Sequence, residues 1–420
     1  MSEAGSPGTN WAGNYRYRAS RLHRPTSLEQ VQDVVAGASS VHVIGSRHSF
    51  NGIADAAELI SLEALPGRVL VDHEARTVSV GAGLTYAALV EELRAEGMAL
   101  HNLASLPHIS VAGAVATATH GSGVGNGNLA TAVVGLELVT SGGERLAVAR
   151  DDPDFDGMVV GLGALGVVTR LTLAVQPAFD VRQRVFEGLP WDALLDHFDE
   201  IVSGGYSVSV FTRWGGAVDQ VWVKTLSDEP AVGEGGLFGA RPATVDRHPI
   251  LGLDPAPCTP QLGRPGSWSD RLPHFRTGFT PSAGEELQSE YLLSRRHAVE
   301  ALEAVRALAD RIRPVLLVCE IRTVAADRLW MSTSYAEDSV ALHFTWRREQ
   351  KEVERVLVEL EHALSRFAPR PHWGKVFLAG ATEIAPRYGR HADFVGLVER
   401  LDPRGAFRNA WLAACVLGGG

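Results

Sequence analysis

SVAGAVATATHGSGVGNG, residues 110–127, is a run of small residues that does not read as one packed helix over its whole length. A second stretch of the same character, GSRHSFN at 45–51, grows out of the short apolar strand VHVIGS at 41–46. Successive backbone N–H groups in such loops form a concavity for an anion without help from lysine. Two of them in one chain suit a pyrophosphate held by backbone donors and hydroxyls. His48 lies inside the first loop and His120 inside the second. Each reads either as an exposed loop histidine or as a working imidazole, shuttle or nucleophile.

Around these loops helices and strands alternate. HRPTSLEQVQDVVAGA (23–38) has helical periodicity behind a Pro-Thr-Ser entry, with Glu29 spaced for a capping box. TYAALVEELRAEGMAL (85–100) is an amphipathic helix with Gly97 near its end. RTVSVGAG (76–83) and GVVTRLTLAV (166–175) read as strands, and LELVTSGGERLAVAR (136–150) as a hairpin. GLGALG (161–166) matches a dinucleotide fingerprint letter for letter. The residues after it are β-branched and alternating, so no helix N-terminus awaits a phosphate, and a tight turn into a strand is the better reading.

Beyond Pro177 the texture changes. YSVSVFTRW (206–214), QVWVKTL (220–226), VLLVCEIRTV (315–324) and SVALHFTW (339–346) are longer β-like runs. HAVEALEAVRALADRI (297–312) and EVERVLVELEHALSRF (352–367) are strong helices, and the Gly/Pro-rich residues 233–260 read as a long surface excursion. The expected fold is α+β, in two domains. Residues 1–179 form one domain, 180–375 a second built on a mixed or antiparallel sheet with flanking helices, and 376–420 a short returning tail with a DPRGAFRN turn.

Two of the later strands carry polar residues in step. Glu320 and Arg322 are two apart, as are His343 and Thr345, so each pair shares one face of its strand. Charged residues in apolar strands are rarely buried unless paired or facing a polar ligand. A solvent-face ion pair explains one strand taken singly; the same spacing on two points to a polar pocket.

Composition excludes several classes. The 420 residues carry 39 Lys and Arg against 49 Asp and Glu, a net charge of −10 that disfavours nucleic acid as partner. Cys258, Cys319 and Cys415 form no CxxC pair, and the 15 histidines include no HExxH, so neither a disulfide framework nor a metal site is expected. The N-terminus lacks an apolar signal core, and no run approaches the roughly 18 apolar residues of a membrane span. A cytoplasmic, soluble protein is expected.

GSRHSFN, LTYAALVEEL, NLASLPHISVAGAVATATHGSGVGNG, LGALGVVT, FTPSAGEELQSEYLL, CEIRTVAAD, HFTW and RPHWGK together resemble the alditol oxidases of the vanillyl-alcohol oxidase family of flavoproteins. The resemblance runs from about residue 10 to 412. It implies an FAD-binding domain of the family type with an inserted substrate domain, and a monomer. It also implies FAD joined covalently to His48, with no second cysteinyl link, since residues 102–113 hold no cysteine. The cofactor contacts it implies are Val43, Ile44, Gly45, Ser46, Arg47, Ser49, Ser105, Ser110, Gly113, Thr117, Ala118, Thr119, His120, Val168 and His372. Position 47 departs from the family, where glycine is expected; an arginine there either helps hold a pyrophosphate or clashes if φ must be positive.

The activity implied is oxidation of the terminal hydroxyl of xylitol, sorbitol and similar polyols, with hydride passing to flavin N5 and dioxygen giving hydrogen peroxide. Substrate contacts would be Ser105, Glu320, Arg322, Thr345 and Lys375. Catalysis would rest on Lys375, His343 and Arg322, and oxygen would enter past Ala104. Three rivals remain: a sugar-1,4-lactone oxidase or dehydrogenase of the same family, a non-catalytic sugar-binding protein, and a nicotinamide enzyme acting through GLGALG.

Overall fold

A computed structural model describes residues 2–3, 7–230, 232, 236–279 and 285–418. Residues 280–284 of the FTPSAGEELQSEYLL motif, and 231 and 233–235 of the Gly/Pro-rich segment, lie outside the described residues.

Among the described residues the N-terminal half builds two main sheets, besides a short pairing of Gln176–Pro177 with Met98–Ala99. Val41–Val43 and Arg21–His23 both run parallel to Glu58–Ile60, which lies between them. Ser2–Glu3 adds an antiparallel edge to Arg21–His23. The second sheet is antiparallel, with Val167–Ala174 at its centre between Thr77–Gly81 and Val133–Val139. GLGALG is the turn into that central strand, with φ of 53° at Leu162 and 74° at Gly163, so the turn reading holds.

The helix expected at 23–38 spans Leu28–Gly37, but its cap differs from the expected one. Ser27 accepts from the Gln30 N–H, and the Gln30 side chain returns to the Thr26 N–H at 2.9 Å, so Gln30 takes the place read for Glu29. The second helix, Tyr86–Ala95, starts at Thr85 and buries Tyr86, Leu89, Val90 and Leu93. Within 110–127 only six residues, Val111–Ala116, are helical. The C-terminal stretch holds more than the expected turn. His391–Leu401 is a helix whose Phe394, Leu397 and Val398 enter the same apolar core as the Tyr86–Ala95 helix. Asn409 then donates to the carbonyls of Ile53 (3.0 Å) and Asp55 (2.8 Å), just after the His48 loop.

Among the described residues, 180–371 supply a nine-stranded antiparallel sheet. Its centre runs Val218–Leu226, Ser207–Thr212, Leu316–Val324, Ser339–Arg347, Glu286–Ser294. Alternation sorts the side chains. Val340, Leu342, Phe344 and Trp346 pack with Cys319, Ile321 and Leu287 against the helices Ala298–Arg306 and Gln350–Leu364. The opposite face carries apolar clusters around Trp222 and Leu292, and between them Glu290, Glu320, Arg322, His343 and Thr345 line the cavity shared with the glycine-rich loops. Among the described residues no helix is long and apolar enough to cross a membrane.

Candidate active site

One cavity of about 500 Å³ runs from the 43–49 and 110–120 loops to the polar face of the large sheet. That volume is within the ordinary range for a small-molecule site. Every site residue predicted from the sequence lines it except Ala118. Ala118 is buried with φ of 53°, and its part is to turn the chain so that Thr119 and His120 face the cavity. Gly161, Leu162, Gly163 and Gly166 of GLGALG also line it, as a turn rather than a helix start.

The Gly/Pro-rich segment is not a free surface excursion. His248, Pro249, Ile250 and Leu253 form part of the cavity wall. Arg247 anchors the segment through a bidentate pair with Glu187 at 2.7 and 2.9 Å, and Gln220 donates to the His248 carbonyl at 2.9 Å. Composition shows how turn-rich such a stretch is, but not what its turns pack against.

At the loop end the two glycine-rich stretches touch. The Ser110 N–H donates to Ser46 Oγ at 3.0 Å, and a Cβ on Gly45 would collide with Ser110 Oγ. His48 stacks on Trp11 at 5.2 Å, and its Nδ1 is buried with no hydrogen-bond partner among the described residues. Burial pulls its pKa to about 4, against an opposing hydrogen bond to the Ser46 backbone, so the ring is neutral and keeps a lone pair. Arg47 does take a left-handed φ of 61°, a conformation that favours glycine. Its Nη1 donates to the Pro7 carbonyl at 2.7 Å, so the guanidinium clamps the N-terminal segment.

The polar end rests on strand register. Glu290 and Glu320 stand opposite His343 on its two neighbouring strands, so the three residues form one row across the sheet. Gln288, Thr345 and Val318 form the next row. Glu290, 1 % exposed, receives Lys375 Nζ on Oε2 at 2.6 Å and Arg322 Nη2 on Oε1 at 2.5 Å, with His120 Nε2 at 3.1 Å. Burial would raise its pKa, but Lys375 and Arg322 together hold it well below the usual carboxylate range. Glu320 is likewise pushed up by burial and held far down by Arg322 and His274. Burial lowers Lys375, with Glu290 opposing.

His343 sits between the two carboxylates. Burial first, then Lys375, brings its pKa to about 4. Glu320 Oε2 is 3.5 Å from its Nδ1, yet among the described residues neither ring nitrogen has a hydrogen-bond partner. The neutral imidazole is part of the cavity wall. His372 accepts from the Gly374 N–H at 3.1 Å, leaving its Nε2 toward Thr119 at 3.4 Å. Chemically the site offers fixed carboxylate acceptors, cationic donors and a neutral base on one wall.

Sequence reading missed Glu290, His274 and Lys224. His274 Nε2 lies 2.7 Å from Glu320 Oε1, and Lys224 Nζ lies 3.2 Å from His274 Nδ1. Glu290 and Lys224 carry the signal that found Glu320, a charge in an apolar strand. His274 comes after an irregular Gly/Pro-rich stretch and gives none.

The chain's comparisons agree with this geometry. Residues 19–149 match the FAD binding domain family, and residues 284–415 match the D-arabinono-1,4-lactone oxidase family. The fold is that of cholesterol oxidase from B. sterolicum, with a TM-score of 0.78 at 15% identity, covering 96% of this chain and 95% of that one. An alditol oxidase of Streptomyces sp. is 51% identical over 96% of this chain and 97% of its own. Together these matches define an FAD-binding oxidoreductase of α+β architecture. An L-gulono-1,4-lactone dehydrogenase of Mycobacterium tuberculosis is 31% identical over 96% of this chain and 97% of its own. The chain belongs to the alditol oxidase family, within the vanillyl-alcohol oxidase type of flavoproteins.

Proposed function

We propose that this protein oxidises the terminal primary hydroxyl of an alditol such as xylitol or sorbitol to the aldose, with FAD attached through His48. The supporting observation is the wall formed by Glu320, Arg322, His343, Thr345 and Lys375 on a cavity shared with the glycine-rich loops. Each hydroxyl of a polyol both donates and accepts, so drying it needs a matched set of such groups. An aromatic substrate would leave them unpaired, at about 1–3 kcal/mol each.

Bound FAD would supply the acceptor for the carbinol hydride and the route for its electrons to dioxygen, giving hydrogen peroxide. The protein does the rest. The row of Glu320, His343 and Glu290 orients the polyol chain. Neutral His343 accepts the proton of the reacting hydroxyl, while Lys375 and Arg322 stabilise the developing alkoxide. Ser105 and Thr345 take further hydroxyls, and Ala104 leaves room for oxygen. Neutral His48 lines the loop end of the cavity and is the residue that would hold FAD through its ring methyl. The proposal includes a monomeric, cytoplasmic enzyme, which gel filtration and cell fractionation check.

The test is an anaerobic visible spectrum of the purified protein before and after xylitol, then after air. Bleaching followed by recovery is expected. The match of residues 284–415 to a lactone oxidase family favours a second reading, a sugar-1,4-lactone substrate. Bleaching by L-gulono-1,4-lactone and not by xylitol would select it. A colourless protein would overturn both.

A further inference from the structure

We propose that Lys224, which does not line the cavity, positions Glu320 for its substrate by fixing which nitrogen of His274 carries the proton. The inference deepens the alditol reading and rests on it for the identity of the substrate.

Lys224 is 1 % exposed on Val218–Leu226, on the same sheet face as Trp222. Its ammonium donates to the Leu272 carbonyl and points at His274 Nδ1, 3.2 Å away. A buried lysine is costly unless its protons are used, and these two atoms are the partners it has among the described residues. Because the ammonium only donates, Nδ1 must accept. The His274 ring is neutral, held near a pKa of about 4 by burial and then Lys224, so its one proton sits on Nε2. That nitrogen is 2.7 Å from Glu320 Oε1 and donates to it.

The consequence falls on the carboxylate. With Oε1 committed to His274, Oε2 remains to accept from a ligand, beside His343 at 3.5 Å and Arg322 Nε at 3.6 Å. The other tautomer would aim a lone pair at Glu320 and drive the carboxylate away. Phe211 and Trp222 hold the His274 ring edge-on, at centroid distances of 5.5 and 5.2 Å, so it keeps its orientation. The backbone N–H groups of His274 and Phe275 also donate to the Ser105 carbonyl at 3.2 and 3.3 Å. One segment thus fixes both Ser105 and Glu320. Lys224 is a positioning residue, since it acts through His274.

The experiment uses the flavin-loaded protein at pH 6.5, below the pKa of about 7 to which burial lowers Lys224, so that its ammonium is the main form. Anaerobic stopped-flow reduction by xylitol gives a limiting rate and a half-saturation concentration. Lys224→Met and His274→Leu are expected to raise half-saturation about 10- to 100-fold, the loss of a hydrogen bond to a charged group, with the limiting rate and flavin content little changed. His274→Gln keeps an N–H for Glu320 and is expected to recover most of the loss seen in His274→Leu. Unchanged half-saturation in Lys224→Met, or a Gln variant no better than the Leu variant, would overturn the proposal. The ¹⁵N shifts of His274 give a readout that needs no substrate. An Nε2–H ring is expected in the wild type, and an Nδ1–H ring there would equally overturn it. Failure of xylitol to bleach wild-type flavin would remove the alditol reading, while the nitrogen shifts would still decide the role of Lys224.

Discussion

Glu290 holds the Lys375 ammonium at 2.6 Å, across 85 residues of sequence, with the carboxylate buried and the lysine side chain 12 % exposed. Its other oxygen holds Arg322, so one carboxylate sets the position and charge of two proposed catalytic cations. Glu290→Gln keeps the shape and removes the charge. Lys375, already lowered by burial, loses the group that opposes that lowering and gives up its proton at a lower pH. Flavin reduction by xylitol is expected to fall about 10²-fold or more, its alkaline limb to move to lower pH, and stability to drop by about 3–5 kcal/mol. Stopped-flow pH profiles and denaturant unfolding check both parts.

Covalent attachment is a question of where the colour goes. Acid-precipitated wild-type protein is expected to remain yellow, because a bond through His48 survives unfolding. His48→Ala is expected to give a colourless pellet and a yellow supernatant. A colourless wild-type pellet would count against the attachment.

Ala104 lines the cavity at 8 % exposure. Ala104→Pro is expected to slow reoxidation by air roughly tenfold, about 1.4 kcal/mol on that barrier, while reduction by xylitol stays near the wild-type rate. Measuring the two half-reactions separately tests this, and an equal loss in both would remove the oxygen-access role.

Acid sensitivity comes from buried neutral histidines. His42, His274 and His343 each have a pKa near 4 through burial. Between about pH 6.5 and 4 the unfolded chain binds those protons and the folded chain does not. The stability present above pH 6.5 is therefore lost as pH falls through this window, at about 1.4 kcal/mol per pH unit for each histidine. Asp327, raised to about 6 by burial, works in the opposite direction over much of the same range. The clean measurement is a difference. At pH 5, His274→Gln is expected to reduce the slope of unfolding free energy against pH by about one proton.

The local elements were legible because their signals are local. Alternation placed Glu320 with Arg322 and His343 with Thr345, and the register sets all four on the cavity face. The β-branched residues after GLGALG correctly argued for a strand. The Gly/Pro-rich segment and the C-terminal stretch were misread in part, as free surface and as a plain turn. Glycine and proline report where a chain bends, whereas the wall made by His248 and Ile250 depends on anchors at Glu187 and Gln220, far away in sequence.

By itself the sequence determined the two glycine-rich loops, the polar faces of two strands and the family they resemble, since backbone conformation and side-chain alternation act over a few residues. Only the tertiary structure decided that Glu290 stands beside His343 and clasps Lys375 and Arg322, and that Lys224 reaches Glu320 through His274. Those contacts come from strand register and from segments far apart in sequence meeting in a low-dielectric interior. There the cost of an unpaired charge selects one arrangement of partners, and no pattern along the chain encodes it.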